Sequence, residues 1–549
     1  MAETTAPADK AGVTPKPAVK DIVAKGATIL MVAMFLSRIV GFAREKLIAH
    51  HFGAKWWTDA FFTAFETPDL MYYLLAGGAL GAALIPVLRE HLHRDDQAGG
   101  HRVANSFMNL ILLATSAMIF IAVFAAPLLV RYVVAPGYTG AKYDLTVSLT
   151  RILLPQVALM VVSAILTALL QCHDHFTWPA VGWVLYNFGI IFGIVVLAPL
   201  IGGPLQRQIY GVMFGVLLGA VLLISLQIPA LRRVGYRWQP IAELSNPAVR
   251  GLLRTWFPIV CSLAISQIML LSLPKWLGSY FGDGMVTNIR FAQRLILLPF
   301  SIFGVSIATA AFPTMSTQAL AGRLEEVRQT FSRAMSSTLF FILPSSVGLI
   351  VLSLPVTRLL WKSGEYSELA VRTNAQLLSL FSLGLVALCA LQIINRAFFA
   401  FKEVRIPLFV GVGVFLINLG LCYTFMHSPL QFKGIPLATS ISFCIYAVIV
   451  FELLRRKLKG VDGGNLVGSF LRSLVATILM ALAVLLTCSL VTRLPLNGTG
   501  LGISALQVLA GIGVAVPVYL GTAILLKVPE AYRTWERLTR KLRRQSARA

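Results

Sequence analysis

Long apolar runs separated by short polar punctuation form the dominant pattern from residue 27 to residue 526. Each run approaches or exceeds the ~20 residues needed to cross hydrocarbon as a helix, and about fourteen can be marked. They begin with 27–49, 60–88 and 103–134, include 255–277 and 371–400, and end with 471–491 and 503–526. The pattern predicts an all-α polytopic membrane protein, and no stretch between the runs is long enough for a separate soluble domain.

The pattern also repeats. Gly77, Gly78 and Pro86 close one small-residue helix before Arg102-Val-Ala-Asn-Ser106; Gly304 and Pro313 close another before Arg328-Gln-Thr-Phe-Ser332. Pro179 and Asn187-Phe-Gly189 are echoed by Pro407 and Asn418-Leu-Gly420, so the offset stays at roughly 226–231 residues. Six runs fill one offset, so both copies enter the membrane in the same sense. This predicts two six-helix bundles related by a parallel internal repeat, with a site between them, plus two additional C-terminal helices. The expected layout is a disordered N-terminus (1–26), an N-lobe (27–250), a C-lobe (251–460), a final helix pair (461–527) and a basic tail (528–549).

Composition agrees: of 549 residues, 57% are hydrophobic and 13% charged, with mean hydropathy +0.78. The first 26 residues, Ala-, Pro- and Thr-rich with Lys10, Lys16, Lys20 and Lys25, lack the layout of a cleavable signal. Net charge is +24, from 47 Lys and Arg against 23 acids. With a cytoplasmic N-terminus and alternating runs, roughly 31 of the basic residues fall in cytoplasmic segments, about 12 outside and about 4 within helices. Arg232-Arg233, Arg455-Arg456-Lys457 and Arg540-Lys541 all fall inside. This positive-inside distribution argues against nucleic acid, and the even number of runs places the C-terminus in the cytoplasm as well. The six cysteines are scattered, mostly in apolar runs, and read as small buried apolar residues rather than as a disulfide or zinc framework.

Against this background the intramembrane charges stand out. An arginine at the centre of a membrane helix costs about 2.5–3.5 kcal/mol on insertion scales. Arg38 and Arg44 occupy the first run and Arg294 the eighth, so both expected lobes contribute. Such residues imply a hydrated cationic cavity, and their planar forks suit a pyrophosphate. Arg38 and Glu45 share a helix face, whereas Arg44 points elsewhere unless Gly41 breaks the helix. Asp59 opens the second run and is a candidate partner for Arg38. Ser37, Glu45, Asp59 and Gln293 are read as cavity or gating positions.

Other chemistry is sparse. Cys172-His-Asp-His175 crowds metal-ligand types into one short loop without a second ligand pair. Arg89-Glu-His-Leu-His-Arg-Asp-Asp96 reads as a solvated loop. No Gly-x-x-x-x-Gly-Lys-Ser/Thr loop occurs. No catalytic residue, metal site or cofactor is expected, and energy would come from an ion gradient, the membrane potential or consumption of product. Together these features describe a transporter working by alternating access.

The stretch Ser37-Arg-Ile-Val-Gly-Phe-Ala-Arg-Glu45, with Phe52-Gly, Thr58-Asp-Ala-Phe-Phe62, Pro68-Asp-Leu70 and Ile85-Pro86, resembles the start of the lipid II flippases, the MurJ or MviN family of the MOP exporter superfamily. Arg294-Leu, Pro299, Gly304 and Pro313 resemble that family's eighth helix. The resemblance implies translocation of the undecaprenyl-pyrophosphate-linked peptidoglycan precursor, lipid II, across the bacterial cytoplasmic (inner) membrane. It implies that Arg38, Arg44 and Arg294 line the cavity and hold the pyrophosphate, that Asp59 is a functionally important acid, and that the last helix pair forms a groove for the lipid tail. Lipid II, membrane lipids and the cell-wall synthesis machinery are the implied partners of a monomer.

Two departures accompany the likeness. Met71-Tyr72-Tyr73 and Ala76-Gly77-Gly78 stand where many relatives carry Leu-Arg-Arg and Ala-Glu-Gly, so that one cavity arginine and one acid of the family pattern are absent. Asn418 remains as an ion-site candidate, but Cys422 follows it one turn later where some relatives place Asp. The rival readings are a flippase for another polyprenyl-pyrophosphate-linked oligosaccharide, a drug/cation antiporter of the same superfamily, and a membrane scaffold for wall or division proteins.

Overall fold

The computed structural model describes residues 19–75, 79–173, 175–254, 256, 273–461, 463–493, 500–533 and 536, excluding the side chains of 19–35, 79–83 and 463–465. Every regular element among them is helical. The first half comprises α1 (Val19–Phe52), α2 (Trp56–Ala64), α3 (Glu66–Leu75), α4 (Ala79–His93), α5 (Gln97–Leu128), α6 (Gly140–Cys172), α7 (Thr177–Phe192) and α8 (Leu205–Arg233). The short α9 (Leu273–Gly278) leads into α10 (Met285–Pro299), α11 (Ser306–Leu320), α12 (Leu324–Val351), α13 (Ser353–Trp361), α14 (Glu368–Leu383), α15 (Leu385–Ala400), α16 (Arg405–Met426) and α17 (Gly434–Lys457). The pair α18 (Gly463–Arg493) and α19 (Gly500–Leu525) completes the chain.

Among the described residues, ten helices are long and apolar enough to cross a membrane, or eleven if α14 and α15, bent by 41° at Gly384, count as one span. The other expected spans have separate explanations. The first is α1, whose early side chains lie outside the description; it is helical from Val19, the first described residue, rather than from 27, so the polar residues through Lys25 already belong to the helix. The seventh, 255–277, lies mostly outside the described residues, as does Cys261.

The second expected span is not one continuous helix. It is divided at Phe65, and Ala76-Gly77-Gly78 lie outside the described residues. Pro68 supplies the physical reason for the break: it has no N–H for the carbonyl of Ala64, so the helix restarts at Glu66. The polar loop expected at 89–96 is mostly the end of α4. Beyond it Asp96 caps α5, accepting from Gly99 N at 2.9 Å and lying 2.9 Å from His91 Nδ1. These bonds, the backbone one first, hold the exposed Asp96 carboxyl below its ordinary range. In the Cys172–His175 loop, Cys172 is the buried last residue of α6, and the His173 ring caps Leu169 O at 3.0 Å; Asp174 lies outside the description. Cys444 is exposed on α17, unlike the buried Cys172, Cys389 and Cys422.

Packing divides the protein at one end and unites it at the other. One apolar cluster belongs to the first half (Leu84, Phe107, Leu154, Leu169) and another to the second (Phe331, Ile394, Phe398, Leu454). A third is shared, joining Phe52, Phe61 and Phe62 to Ile289, Phe291, Trp361 and Tyr366. At its centre Phe291 stacks on Trp361 with centroids 4.4 Å apart, while Phe42 meets the other side of the contact at 5.2 Å from Trp361. The halves are therefore welded toward the end where α1 finishes, and keep separate cores toward the end where it begins. The pair α18–α19 packs on α12 and α13 of the second half.

Within the first half, α7 and α8 touch backbone to backbone. A Cβ on Gly215 would lie 2.5 Å from Gly193 Cα, and one on Gly189 would lie 2.4 Å from Gly219 Cα. Close approach of this kind replaces the hydrophobic driving force that lipid cannot supply. Gly215→Ala should therefore destabilise the protein by about 1–3 kcal/mol through overpacking. Gly513→Ala, where a Cβ meets open space, should leave the thermal unfolding midpoint in detergent unchanged; equal midpoints for the two variants would refute the packing argument.

Candidate functional site

The polar strip of α1 faces the second half. Although α1 is unbroken at Gly41, Arg44 and Glu45 both reach protein partners: Arg44 Nη2 lies 3.1 Å from Glu45 Oε1, and Arg44 Nη1 donates to Asn187 Oδ1 at 3.1 Å. Asn187 in turn donates to Ser37 Oγ at 3.3 Å. From the second half, Arg294 Nε on α10 approaches Glu45 Oε2 at 3.4 Å. Glu45 is 1% exposed, so one buried carboxylate lies between two guanidiniums from different halves. A Cβ on Gly41 would lie 3.3 Å from Arg294 Nη2, so the glycine keeps the wall thin where α10 arrives.

The pairing is incomplete. Glu45 Oε2 makes no hydrogen bond despite its ion contact, and neither does Arg44 Nε nor Arg290 Nε. An unsatisfied buried polar group costs about 1–3 kcal/mol, and more when charged. The site thus holds charged hydrogen-bonding capacity that the protein itself does not use.

Beside this group lies a cavity of about 210 Å³ between the halves, lined by Glu45, Glu66, Asp69, Tyr73, Lys275, Arg290, Gln293 and Arg294, among others. Its wall is mixed in sign rather than uniformly cationic. Lys275, Arg290 and Arg294 face it together with Glu45, Glu66 and Asp69. Glu66 and Lys275 form an ion pair across α3 and α9, both nearly buried. Arg290, one turn before Arg294, places its guanidinium 4.5 Å from the centroid of the Phe62 ring.

The three arginines expected together are only partly so. Arg44 and Arg294 share Glu45. Arg38 is exposed and instead donates to Ser301 Oγ at 2.8 Å, in the π-helical turn Phe300–Val305 joining α10 to α11. Ser37, Glu45 and Gln293 are at the site or its wall. Asn418 is buried on α16, and its Oδ1 accepts the Cys422 thiol at 3.5 Å.

Asp59 does not pair with Arg38. It is fully buried at the welded end, one helix removed, and accepts from Gly284 N (2.8 Å), Thr287 N (2.8 Å) and Thr287 Oγ1 (2.7 Å). It therefore caps α10, whose own N-cap, Gly284, has no side chain. Lys142 Nζ completes the arrangement, 2.8 Å from Asp59 and 3.3 Å from Asp283. Around it the halves meet through backbone. Gly284, at φ 82°, brings its Cα so close that a Cβ would sit 2.3 Å from Ala54 O. Glu365 N donates to His50 O at 3.0 Å, and Gly137 N to Ser279 Oγ at 3.2 Å.

Arg290, Lys142 and Glu66 were not singled out from sequence, and Asn187 and Asp69 entered only within the repeat and resemblance motifs, not as site residues. Arg290 was legible as the residue four before Arg294 on one helix face. Lys142 gave no signal and Asn187 only its place in the repeat, because tertiary packing alone brings them to Asp59 and Arg44.

A protein-family model described as lipid II flippase MurJ matches residues 48–500. The lipid II flippase MurJ of Burkholderia cenocepacia is 27% identical over 429 residues, covering 77% of this chain and 82% of that protein. The probable lipid II flippase MurJ of Bdellovibrio bacteriovorus is 25% identical over 509 residues, 92% and 95% of the two chains. Among solved structures, a lipid II flippase MurJ in an inward closed conformation superposes with TM-score 0.75 at 23% identity, covering 91% of this chain and 99% of that one. An inward-facing multidrug resistance MATE family transporter of the MOP superfamily gives 0.65 at 17% identity, covering 78% and 98%. At such identities the structures speak to fold.

Breaking the Asp59 cluster tests its role in holding the halves together. Removing one partner of a buried ion pair costs about 3–5 kcal/mol. Asp59→Asn should open the welded end, read as faster labelling of a cysteine placed at Glu365, while Asp283→Asn, at the exposed rim, should change it little. Unchanged labelling in Asp59→Asn would remove Asp59 from the seal.

Proposed function

The chain belongs to the lipid II flippase MurJ family, and from that membership we propose that it carries lipid II from one leaflet of a bacterial inner membrane to the other. The observation that carries the mechanism is Glu45 shared between Arg44 and Arg294 across the two halves. In the absence of substrate the carboxylate acts as an internal counter-ion. A pyrophosphate arriving in the cavity offers more acceptor oxygens than one carboxylate, and it satisfies guanidinium donors that Glu45 leaves unused. Arg290 supplies a further cation in place of the arginine absent at Tyr72.

The same helix ties the anion site to the seal. Arg290 and Arg294 project from α10, and Asp59 holds its N-terminus; the ten residues from Met285 to Arg294 make a rod of about 14 Å. Binding that draws α10 toward the anion shifts the load on the Asp59 cap, and loosening that cap favours opening of the welded end. The separate cores at the other end support a starting state open on that side. In our reading that side is cytoplasmic, where the basic helix ends and both termini lie.

This reading rests on fourteen crossings in two parallel six-helix repeats, with α18 and α19 as an added pair guiding the lipid tail. The protein works as a monomeric transporter rather than an enzyme, coupled to an ion gradient or the membrane potential. Arg38, at the seam between α1 and α11, guides the headgroup inward by way of Ser301.

A second reading, drug/cation antiport, gains some support from Glu66 and Asp69 in the cavity wall. Leaflet exchange in proteoliposomes separates the readings when lipid II, other undecaprenyl-linked sugars and a cationic dye are compared. Lipid II should move fastest. Arg294→Ala should slow it by about tenfold or more, the worth of one charge-assisted hydrogen bond to the substrate, with the folded state retained and Arg294→Lys intermediate. Wild-type exchange in Arg294→Ala, or dye transport exceeding lipid II transport, would overturn the proposal.

A further inference from the structure

A second concave site lies far from the cavity, where the beginnings of α12 and α18 meet the residues following α19. It has a volume of about 490 Å³, and its wall includes Arg333, Arg472 and Arg533. Three guanidiniums converge there against one carboxylate, Glu530, which accepts from Ser469 Oγ at 3.0 Å. Arg472 is steadied by the backbone, donating to Lys527 O at 3.3 Å. In the same wall Ser332 is 8% exposed, and its buried Oγ has no hydrogen-bond partner. A basic pocket with an unanswered buried hydroxyl has the donor set of a phosphate site.

Its position defines the ligand further. The three segments that form it all lie at helix ends, where candidate spans leave the hydrocarbon. Directly beyond it, α18 exposes Leu471, Val475, Ile478, Leu482 and Leu485, a stripe recurring every three or four residues along one helix face. A charged head pocket continuous with an exposed apolar stripe fits an amphiphile and not a free ion.

We propose that this pocket binds the phosphate headgroup of an anionic bilayer phospholipid, whose acyl chains lie along α18. The lipid fills the corner between the added helix pair and the second half, tying α18 and α19 to α12 at the membrane surface. Because α12 shares its core with α10–α11 and α15, the occupied site stabilises the second half as a unit. Basic pockets between transmembrane helices recognise lipid headgroups in this way.

The test uses the purified full-length chain and native mass spectrometry, with phosphatidylglycerol or phosphatidylcholine added in detergent. Phosphatidylglycerol should be retained in preference to phosphatidylcholine and resist displacement by inorganic phosphate at equal concentration. Arg333→Gln, Arg472→Gln and Arg533→Gln should each weaken retention about fivefold, the worth of one basic side chain at an anionic surface. Replacing all three by Lys should restore most of it, and Arg294→Gln in the central cavity should leave it unchanged. Undiminished retention in the triple Gln variant, or loss in Arg294→Gln alone, would overturn the assignment. Complete displacement by inorganic phosphate would reduce the pocket to a free-anion site and overturn the lipid proposal.

Discussion

Ions taken into the interior of a membrane protein cost several kcal/mol each unless they answer one another with good geometry. Glu45 meets that demand for two cations at once, at 3.1 Å from Arg44 and 3.4 Å from Arg294. Because the cations come from different halves, the contact also fixes where α1 and α10 lie relative to each other. It is a weak fastening by design of its geometry: Glu45 Oε2 lacks a hydrogen bond, and so does Arg44 Nε. A tighter ion pair would stabilise the resting arrangement more, and would also compete more strongly with any anion that must replace it.

The welded end uses a different chemistry. Asp59 is saturated by two backbone N–H groups, a hydroxyl and Lys142, and the surrounding contacts run backbone to backbone past Gly284 and between His50 and Glu365. Directional bonds of this kind break abruptly with small displacements. The apolar stack of Phe291 on Trp361 lies between seal and cavity, so a rigid movement of α10 disturbs all three layers together. Packed interfaces with such mixtures favour two discrete arrangements over continuous deformation.

Much of this was legible in the residues. Apolar run length located most of the helices, and the cost of intramembrane charge marked Arg44, Glu45 and Arg294 before any geometry was known. What escaped was set by tertiary placement. Seven-residue spacing put Arg38 beside Glu45, but Ser301 in a π-helical turn captures its guanidinium. Asp59 was singled out correctly as an acid of interest, yet its partners are a lysine on α6 and the start of α10, neither of which spacing within one helix can reveal. The break at Phe65 was encoded by Pro68 but masked by the apolar character of the surrounding run. Glu66 was overlooked for the same reason, Asp69 was noted only within Pro68-Asp-Leu70, and together they make the cavity wall mixed in sign where cations were expected to dominate.

That mixture changes how selectivity must arise. A purely basic chamber would concentrate any anion, whereas here each cation has an acid within the same wall, Lys275 being paired with Glu66 outright. Long-range attraction is thereby reduced, and discrimination falls to short-range geometry: which ligand supplies enough oxygens, correctly spaced, to draw Arg44, Arg290 and Arg294 from their present partners. A single carboxylate or chloride gains nothing over Glu45, since it offers no more acceptors than the residue it would displace. Two linked phosphates offer several in a fixed arrangement, and bidentate contact with planar guanidiniums rewards that arrangement specifically. In the proposed mechanism the internal acids therefore act as a threshold, admitting to the transport cycle only an anion that exceeds them in geometry as well as charge.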